Sequence, residues 1–254
     1  MNVHQRGSGL VRLLLLHGFT GTGDSFAHLP LDARFTVLMP DLPGHGASPL
    51  ATSWDACLDA LGELVDAGTI VAGYSMGARL ALGLALRRPL AGLLLESGSP
   101  GLADPVERAQ RSLHDEALAQ GLERDGLPAF LERWDAQPLL AGLRTLPPGL
   151  RKGLLARRRR QTSAGLASAL RALGTGTQPP LWDLLPRLAT PTLLIAGERD
   201  AKFFALARRM RERLPNASLR VLPQSGHAPH LETPAEYAAL LTGLLPALPN
   251  GESQ

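Results

Sequence analysis

A serine lies between two glycines where an apolar run meets a helical stretch. Residues 73–77 read Gly-Tyr-Ser-Met-Gly, directly after the apolar run 69–72 and before the helix-favouring residues 78–82. A G-x-S-x-G pattern between a strand and a helix is typical of a nucleophile elbow, whose tight turn lifts the serine hydroxyl clear of the sheet edge. An ordinary turn serine is the alternative, and the flanking strand and helix argue against it. Ser75 is therefore the first candidate for chemistry.

An acid and a histidine that could activate this serine follow later in the chain. Asp200 closes the turn after the apolar run 192–196, and His227 lies in the loop after the strand-like residues 219–222. Loops that follow parallel strands meet at one edge of the sheet, where such folds place ligands. A hydroxyl becomes reactive when an imidazole takes its proton and an acid orients the imidazole. The pattern predicts a Ser75, Asp200 and His227 triad.

Other residues compete for two of these roles. His230 is close in sequence to His227 and is its rival, and His227 itself could be a surface-loop histidine. Asp183 is the alternative acid, but it precedes the penultimate predicted strand and follows two prolines, which favours a helix start. Asp200 could also cap the helix that begins at residue 201, a role compatible with catalysis.

The elements that must position these residues alternate between strand and helix. Six short apolar runs are separated mostly by amphipathic segments, which predicts a mostly parallel α/β sheet flanked by helices. The 254 residues, 44% of them hydrophobic, suffice for one sizeable core and an inserted subdomain. The predicted strands are 11–16, 35–39, 69–72, 91–96, 192–196 and 218–222, and the clearest helices are 54–66, 76–87 and 201–213.

The segment 100–187 is far longer than an ordinary connection between strands. It is rich in helical patterns, at 105–121, 128–134, 147–158 and 163–173, and prolines separate them. We predict an inserted helical cap over the sheet edge that shapes the pocket and excludes water. The predicted domains are a core of residues 1–99 and 188–254 and a cap of residues 100–187.

Composition excludes several classes of partner. The single Cys57 rules out an internal disulfide and a cysteine metal cluster, and no phosphate-binding loop is present, so neither a metal nor a cofactor is expected. The apolar run 13–16 is too short for a signal sequence or a membrane span, which predicts a cytoplasmic protein that does not bind membranes. Net charge is +3. The four arginines at 157–160 lack interleaved aromatic residues, so at least two are interpreted as solvated and no nucleic acid partner is predicted.

Six sequence blocks recur along the chain: HGFTG (17–21), DLPGHGAS (41–48), GYSMGAR (73–79), ESGSPGL (96–102), RWDAQPL (133–139) and GERDAKF (197–203). Together they resemble one enzyme family over residues 11–245. That family is the 2-succinyl-6-hydroxy-2,4-cyclohexadiene-1-carboxylate synthases of menaquinone biosynthesis, which have the α/β-hydrolase fold and its order of serine, acid and histidine. The first three blocks are shared by many α/β-hydrolases, whereas the last three carry the family resemblance.

The resemblance implies a lyase that needs no cofactor. In that family, pyruvate is eliminated from 2-succinyl-5-enolpyruvyl-6-hydroxy-3-cyclohexene-1-carboxylate to give 2-succinyl-6-hydroxy-2,4-cyclohexadiene-1-carboxylate. Ser75, polarised by His227 and Asp200, would be the general base that removes a ring proton next to a carbonyl. The negative charge that develops needs preorganised donors. The backbone N–H groups of Phe19 and Met76 are the expected oxyanion hole.

The family's substrate carries three carboxylates, so a small polyanionic partner is expected. Arg79 lies one helical turn after the serine and should face the same pocket. The resemblance places Arg111 and Arg158 among the cap arginines that bind substrate, and Tyr74 and Trp134 among the aromatic residues that contact it. A planar guanidinium suits carboxylates because it can bind both oxygens at once.

Two other functions are compatible with parts of the pattern. A serine carboxylesterase would use Ser75 as a covalent nucleophile, and the elbow pattern alone does not distinguish a nucleophile from a base. The cap arginines favour the lyase, because an apolar ester would leave buried guanidinium groups unpaired. A non-catalytic binding protein on the same fold is the second alternative, and the complete triad argues against it.

Overall fold

A seven-stranded sheet forms the centre of the computed structural model, which describes residues 1–244. The strand order is β1-β3-β2-β4-β5-β6-β7, and every neighbouring pair is parallel except β1 with β3. This confirms the predicted mostly parallel α/β sheet. The strands are β1 Val3–Arg6, β2 Val11–Leu16, β3 Phe35–Pro40, β4 Ile70–Tyr74, β5 Gly92–Glu96, β6 Thr192–Gly197 and β7 Ala217–Leu222.

Six of the seven strands lie where the sequence predicts them, and β1 was not predicted. The six agree within one residue at each end, apart from the end of β4, which lies two residues later than predicted. Residues Val3–Arg6 form a four-residue antiparallel edge strand that is partly exposed along its length. A short polar edge strand lacks the apolar run by which a buried strand is recognised. Its absence from the sequence prediction has this physical cause.

Helices cover both faces of the sheet. One buried cluster joins the sheet to α1, α2 and α6, and a second joins the opposite face to α8. The three helices predicted in the core are present and end two to four residues earlier than predicted. Their bounds, with the other helices of the described chain, are α1 Trp54–Gly62, α2 Met76–Ala85, α3 Pro105–Asp135, α4 Pro148–Arg159, α5 Ser163–Leu173, α6 Ala201–Arg211, α7 Pro229–Glu232 and α8 Pro234–Thr242.

The long segment between β5 and β6 contains α3, α4 and α5 with two 3₁₀ helices, Pro138–Thr145 and Trp182–Arg187. Two predicted helices, 105–121 and 128–134, form one element, α3, whose helical conformation is interrupted at Gly126 with φ +82°. Helices α3 and α5 enclose a separate apolar cluster that includes Leu122, Phe130 and Leu166. The segment therefore has its own core, whereas the domain boundaries stay a prediction, and residues 245–254 of the predicted core domain lie outside the described residues.

The parallel strands bring three functional loops to one edge. The carboxyl ends of β4, β6 and β7 are followed by the loops that carry Ser75, Asp200 and His227. This is the edge at which open α/β sheets bind ligands. Between residues 1 and 244, no helix has both the length and the apolar character that a membrane crossing requires.

Candidate active site

Ser75 occupies a backbone conformation that the surrounding glycines make possible. Its φ of +51° and ψ of −106° lie in a backbone region that residues with a side chain rarely adopt. A Cβ at Gly73 would come within 2.3 Å of the Gly77 carbonyl oxygen, and one at Gly77 within 2.0 Å of the Leu16 carbonyl oxygen. The Ser75 N–H donates to the Glu96 carbonyl at 2.9 Å, which ties the turn to β5. The elbow is therefore a tight turn that accepts no residue larger than glycine at positions 73 and 77.

The three predicted triad residues form a continuous hydrogen-bonded chain. His227 Nε2 lies 3.2 Å from Ser75 Oγ, and His227 Nδ1 lies 2.6 Å from Asp200 Oδ2. A carboxylate only accepts, so Nδ1 carries the proton and Nε2 is free to take the serine proton. Asp200 Oδ1 also accepts the Phe203 N–H at 3.2 Å, so the acid caps α6 as well. Both predicted roles of Asp200 are thus compatible in one conformation.

The competing residues lie away from the serine. His230 is buried, and its Nδ1 lies 2.8 Å from the Glu96 carboxylate. Asp183 lies in the 3₁₀ helix Trp182–Arg187 with a fully exposed side chain, and its nearest cation is Arg213 at 3.8 Å. Neither residue contacts Ser75 or His227 through a hydrogen bond in the described chain. Of the four candidates, Asp200 and His227 have the geometry to activate the serine.

A carboxylate holds the loop that carries His227. Glu232 accepts the Gly226 N–H at 2.9 Å and the Ala228 N–H at 3.1 Å, the two amides on either side of the histidine. A Cβ added to Gly142 of the inserted segment would lie 2.2 Å from a Glu232 oxygen, so the two segments are in close contact there. Glu232 therefore holds the backbone that carries His227 and contacts the inserted segment.

The residues that carry the expected oxyanion donors line the same pocket. Phe19 and Met76 line the pocket beside Ser75, and within residues 1–244 neither backbone N–H donates a hydrogen bond. His17 holds the loop that carries Phe19. Its Nδ1 lies 2.8 Å from the Gly18 carbonyl oxygen, and its Nε2 accepts the Leu42 N–H at 2.9 Å. Burial lowers the pKa of His17 to about 4, so the ring is neutral and can accept at Nε2. Within the described chain both backbone N–H groups, of Phe19 and Met76, are thus without an acceptor, as donors that stabilise an anion would need to be.

A pocket of about 770 Å³ opens above the serine. Its wall combines the sheet edge with α3, α4, α5 and α6. Every predicted site residue except Asp200, which lies behind His227, contributes to the wall. No cluster of three or more histidine, cysteine or acidic side chains suited to a metal occurs among the described residues. The predicted members of the wall are Phe19, Tyr74, Ser75, Met76, Arg79, Arg111, Trp134, Arg158 and His227.

Arg79 is a buried cation without a carboxylate partner in the described chain. Its Nη1 donates to the Gln178 side-chain oxygen at 3.1 Å and its Nη2 to the Leu173 carbonyl at 2.8 Å. Burial, followed by repulsion from Arg111, lowers the pKa of Arg79 to about 10, so the guanidinium stays charged at neutral pH. A cation that is buried, lines a pocket and has only neutral hydrogen-bond partners is suited to bind an anion.

The other two predicted arginines are each paired with an acid. Arg111 Nε donates to buried Asp115 at 2.8 Å, and Arg158 Nη1 contacts Asp135. Burial raises the pKa of the Asp135 carboxyl, against the opposing effect of Arg158. These acids orient the guanidinium groups and partly neutralise them. The three arginines therefore differ in the charge that each can offer to a ligand.

The arginine run at 157–160 divides as predicted between buried and solvated members. Arg158 is 6% exposed and faces the pocket, and Arg157 is half-buried. Arg159 and Arg160 are exposed, and Arg160 lies 3.5 Å from Asp24 at the surface. Of the four, Arg158 alone lines the pocket.

Aromatic rings form the apolar part of the wall. Trp134 packs edge-on against Phe19 at 5.1 Å between ring centres. Tyr74 contacts the His227 ring at 5.5 Å and the His230 ring at 4.6 Å. Burial, with the nearby Glu96 carboxylate, raises the pKa of Tyr74, so its hydroxyl stays protonated and can donate.

Sequence reasoning missed four residues that support these groups: Gln178, Asp115, Asp135 and Glu232. Asp115 could have been found, because it lies four residues after Arg111 on a predicted helix, a spacing that pairs opposite charges. The other three contact partners that are distant in sequence or that are reached through loop geometry, and neither leaves a local signal.

The site can take a proton through the serine and histidine, bind an anionic oxygen at two amides, and hold carboxylates.

Known proteins with similar sequences and structures identify the family. The alpha/beta hydrolase family matches residues 13–240. The 2-succinyl-6-hydroxy-2,4-cyclohexadiene-1-carboxylate synthase of Serratia proteamaculans is 35% identical and covers 92% of each chain, and that of Escherichia coli (O1:K1 / APEC) is 34% identical over 93% of this chain and 94% of its own. The structure of MenH from S. aureus matches with a TM-score of 0.91 and 31% identity, over 96% of this chain and 97% of that one. These matches confirm the resemblance found in the sequence blocks: the chain belongs to the 2-succinyl-6-hydroxy-2,4-cyclohexadiene-1-carboxylate synthase family of α/β-hydrolase proteins.

Proposed function

We propose that this protein is a carbon–oxygen lyase of menaquinone biosynthesis. It eliminates pyruvate from 2-succinyl-5-enolpyruvyl-6-hydroxy-3-cyclohexene-1-carboxylate and leaves 2-succinyl-6-hydroxy-2,4-cyclohexadiene-1-carboxylate. Family membership supports this reaction, and the observation that carries it in this chain is the position of Arg79. A buried guanidinium without an acidic partner in the described chain lines the same pocket as the triad serine. This arrangement suits a substrate with several carboxylates.

The reaction begins with the loss of a proton from the ring carbon that bears the succinyl group. Ser75 Oγ takes this proton while its own proton passes to His227 Nε2, and Asp200 stabilises the imidazolium. The C–H electron pair forms a new ring double bond and displaces the existing one. The C–O bond to the enolpyruvyl group then breaks with its electron pair. The departing enolpyruvate gains a proton and becomes pyruvate.

Charge develops on the succinyl ketone oxygen as the proton leaves. The N–H groups of Phe19 and Met76 stabilise that oxygen; in support, both residues line the pocket with Ser75, and neither N–H donates a hydrogen bond within residues 1–244. Arg79, Arg111 and Arg158 hold the carboxylates, and Tyr74 and Trp134 pack against the ring. The proposal includes a cytoplasmic location and no nucleic acid or membrane partner.

The test is to supply the enolpyruvyl substrate to the purified protein and follow pyruvate release. A simple aryl acetate serves as the parallel substrate for the alternative, a serine carboxylesterase. We expect pyruvate release to be much faster than ester cleavage, with no stable acyl-enzyme on Ser75 by mass spectrometry. Absence of pyruvate release together with efficient ester cleavage would replace the lyase with the esterase.

A further inference from the structure

The two protein partners of Arg79 come from one short stretch of the chain. Leu173 ends α5, and its carbonyl oxygen accepts Nη2 at 2.8 Å. Gln178 follows five residues later, and its side-chain oxygen accepts Nη1 at 3.1 Å. The end of the cap therefore holds an arginine that belongs to the core helix α2.

The orientation of the Gln178 amide is fixed by its second contact. Its side-chain nitrogen donates to the Ser99 carbonyl at 3.1 Å, and the residue is fully buried. Because Ser99 offers a carbonyl, the NH₂ group must face it, and the oxygen must face Arg79. A flipped amide would direct N–H groups at the guanidinium. Gln178 thus presents a neutral acceptor to a buried cation.

A neutral acceptor orients Arg79 and leaves its charge available. A guanidinium has five N–H groups, and two of them are used by Gln178 and Leu173. Within the described chain the remaining three have no hydrogen-bond partner, and Arg79 lines the pocket. Arg111 and Arg158, by contrast, are held by Asp115 and Asp135. A carboxylate in place of Gln178 would compete with the substrate for the same cation.

We propose that Gln178 is a positioning residue that holds Arg79 through a neutral oxygen, so that the guanidinium keeps its full charge for a substrate carboxylate. Gln178 acts through Arg79. Its contribution therefore depends on the presence of that arginine. The proposal rests on the proposed function for the identity of the carboxylate, but the electrostatic role applies to any polycarboxylate in this pocket.

The test compares Gln178→Glu with Gln178→Met. Both changes remove the NH₂ group that donates to the Ser99 carbonyl. Glutamate keeps the shape and an acceptor for Arg79 but offsets its charge, whereas methionine keeps the length and removes the hydrogen bond to Arg79. Isothermal titration with propane-1,2,3-tricarboxylate measures the affinity of the pocket. We expect Gln178→Glu to raise Kd at least about tenfold, the effect of losing one charge-assisted hydrogen bond, and Gln178→Met to raise it less. Gln120→Glu, the same change at an exposed cap residue, should leave Kd unchanged.

Arg79→Ala supplies the second measurement. Adding Gln178→Met to this variant should cause no further loss of affinity, because the residue that Gln178 positions is gone. Should Gln178→Glu fail to fold, this comparison decides alone. Gln178→Glu with wild-type affinity, Gln178→Met weaker than Gln178→Glu, additive losses in the double variant, or no binding of the tricarboxylate to the wild type would each overturn the proposal. If the wild type releases no pyruvate but the affinities follow this order, the proposed function fails and the role of Gln178 stands.

Discussion

Replacing Glu232 by alanine is expected to lower kcat without raising KM. The carboxylate accepts the two backbone N–H groups that flank His227, at 2.9 and 3.1 Å, and it is not part of the pocket wall within the described residues. Without it, the loop can shift and carry the imidazole away from Ser75. The change leaves untouched the arginines proposed to bind substrate, so binding should persist while proton transfer slows.

The size of the effect follows from the two hydrogen bonds. Each bond to a charged group contributes roughly 1.5–3 kcal/mol when buried, and the partial exposure of Glu232 reduces the pair to a total of about 2 kcal/mol. For a chain of this size, that loss lowers Tm by about 4–8 °C. A displacement of about 1 Å between reacting groups can reduce the rate about 100-fold, which sets the expected loss in kcat.

The assay is steady-state pyruvate release beside thermal unfolding. Glu232→Gln keeps one acceptor oxygen and should lie between alanine and the wild type in both kcat and Tm. Glu236→Ala is the matched control, because Glu236 is an exposed acid in the first turn of α8, and its side chain makes no hydrogen bond with the His227 loop among residues 1–244. A folded Glu232→Ala protein with wild-type kcat, or with an increased KM at unchanged kcat, would refute the reasoning.

Three further outcomes are expected. Arg79→Ala should lower kcat/KM about 10- to 100-fold, the effect of losing one charge-assisted hydrogen bond, and Arg79→Lys should recover part of the loss. Steady-state kinetics measures both variants, and normal turnover by the alanine variant would contradict the assignment of this pocket to a carboxylate substrate. Arg158→Ala should raise KM whereas Arg159→Ala should not, because only Arg158 faces the pocket; the reverse order would show that the wrong arginine was assigned. Burial lowers the pKa of His17 to about 4 and that of His45 to about 3, so the unfolded chain binds more protons than the folded one between these values and pH 6.5. The free energy of unfolding should therefore fall as pH drops from 6.5 toward 4. Unfolding curves across this range test the sign, and constant or rising stability would contradict it.

The sequence predicted the parts of the site that depend on local pattern. The elbow serine is recognised because the tight turn brings backbone atoms so close to positions 73 and 77 that only glycine fits there, and the parallel strands follow from their apolar runs. Asp200 and His227 are recognised by their positions after strands. The resemblance to the family supplied Arg111 and Arg158, whose spacing alone does not show that they reach the pocket.

The remaining contacts depend on how distant segments meet. Gln178 contacts an arginine 99 residues away, and Asp135 contacts one 23 residues away. Glu232 lies six residues from Gly226, but its role requires the loop to fold back on itself. Such pairs have no periodicity in sequence. The edge strand β1 was missed for a related reason, because its pairing with β3 rather than its composition makes it a strand.

Pyruvate release by Ser75→Ala is the most direct test of the central claim, that this serine acts as the general base of an elimination. The measurement is single-turnover release from the enolpyruvyl substrate, with circular dichroism to establish the fold. We expect a loss of roughly 10²–10⁴-fold, typical of removing a general base, with substrate binding retained. Near-wild-type release by a well-folded Ser75→Ala protein would contradict the mechanism.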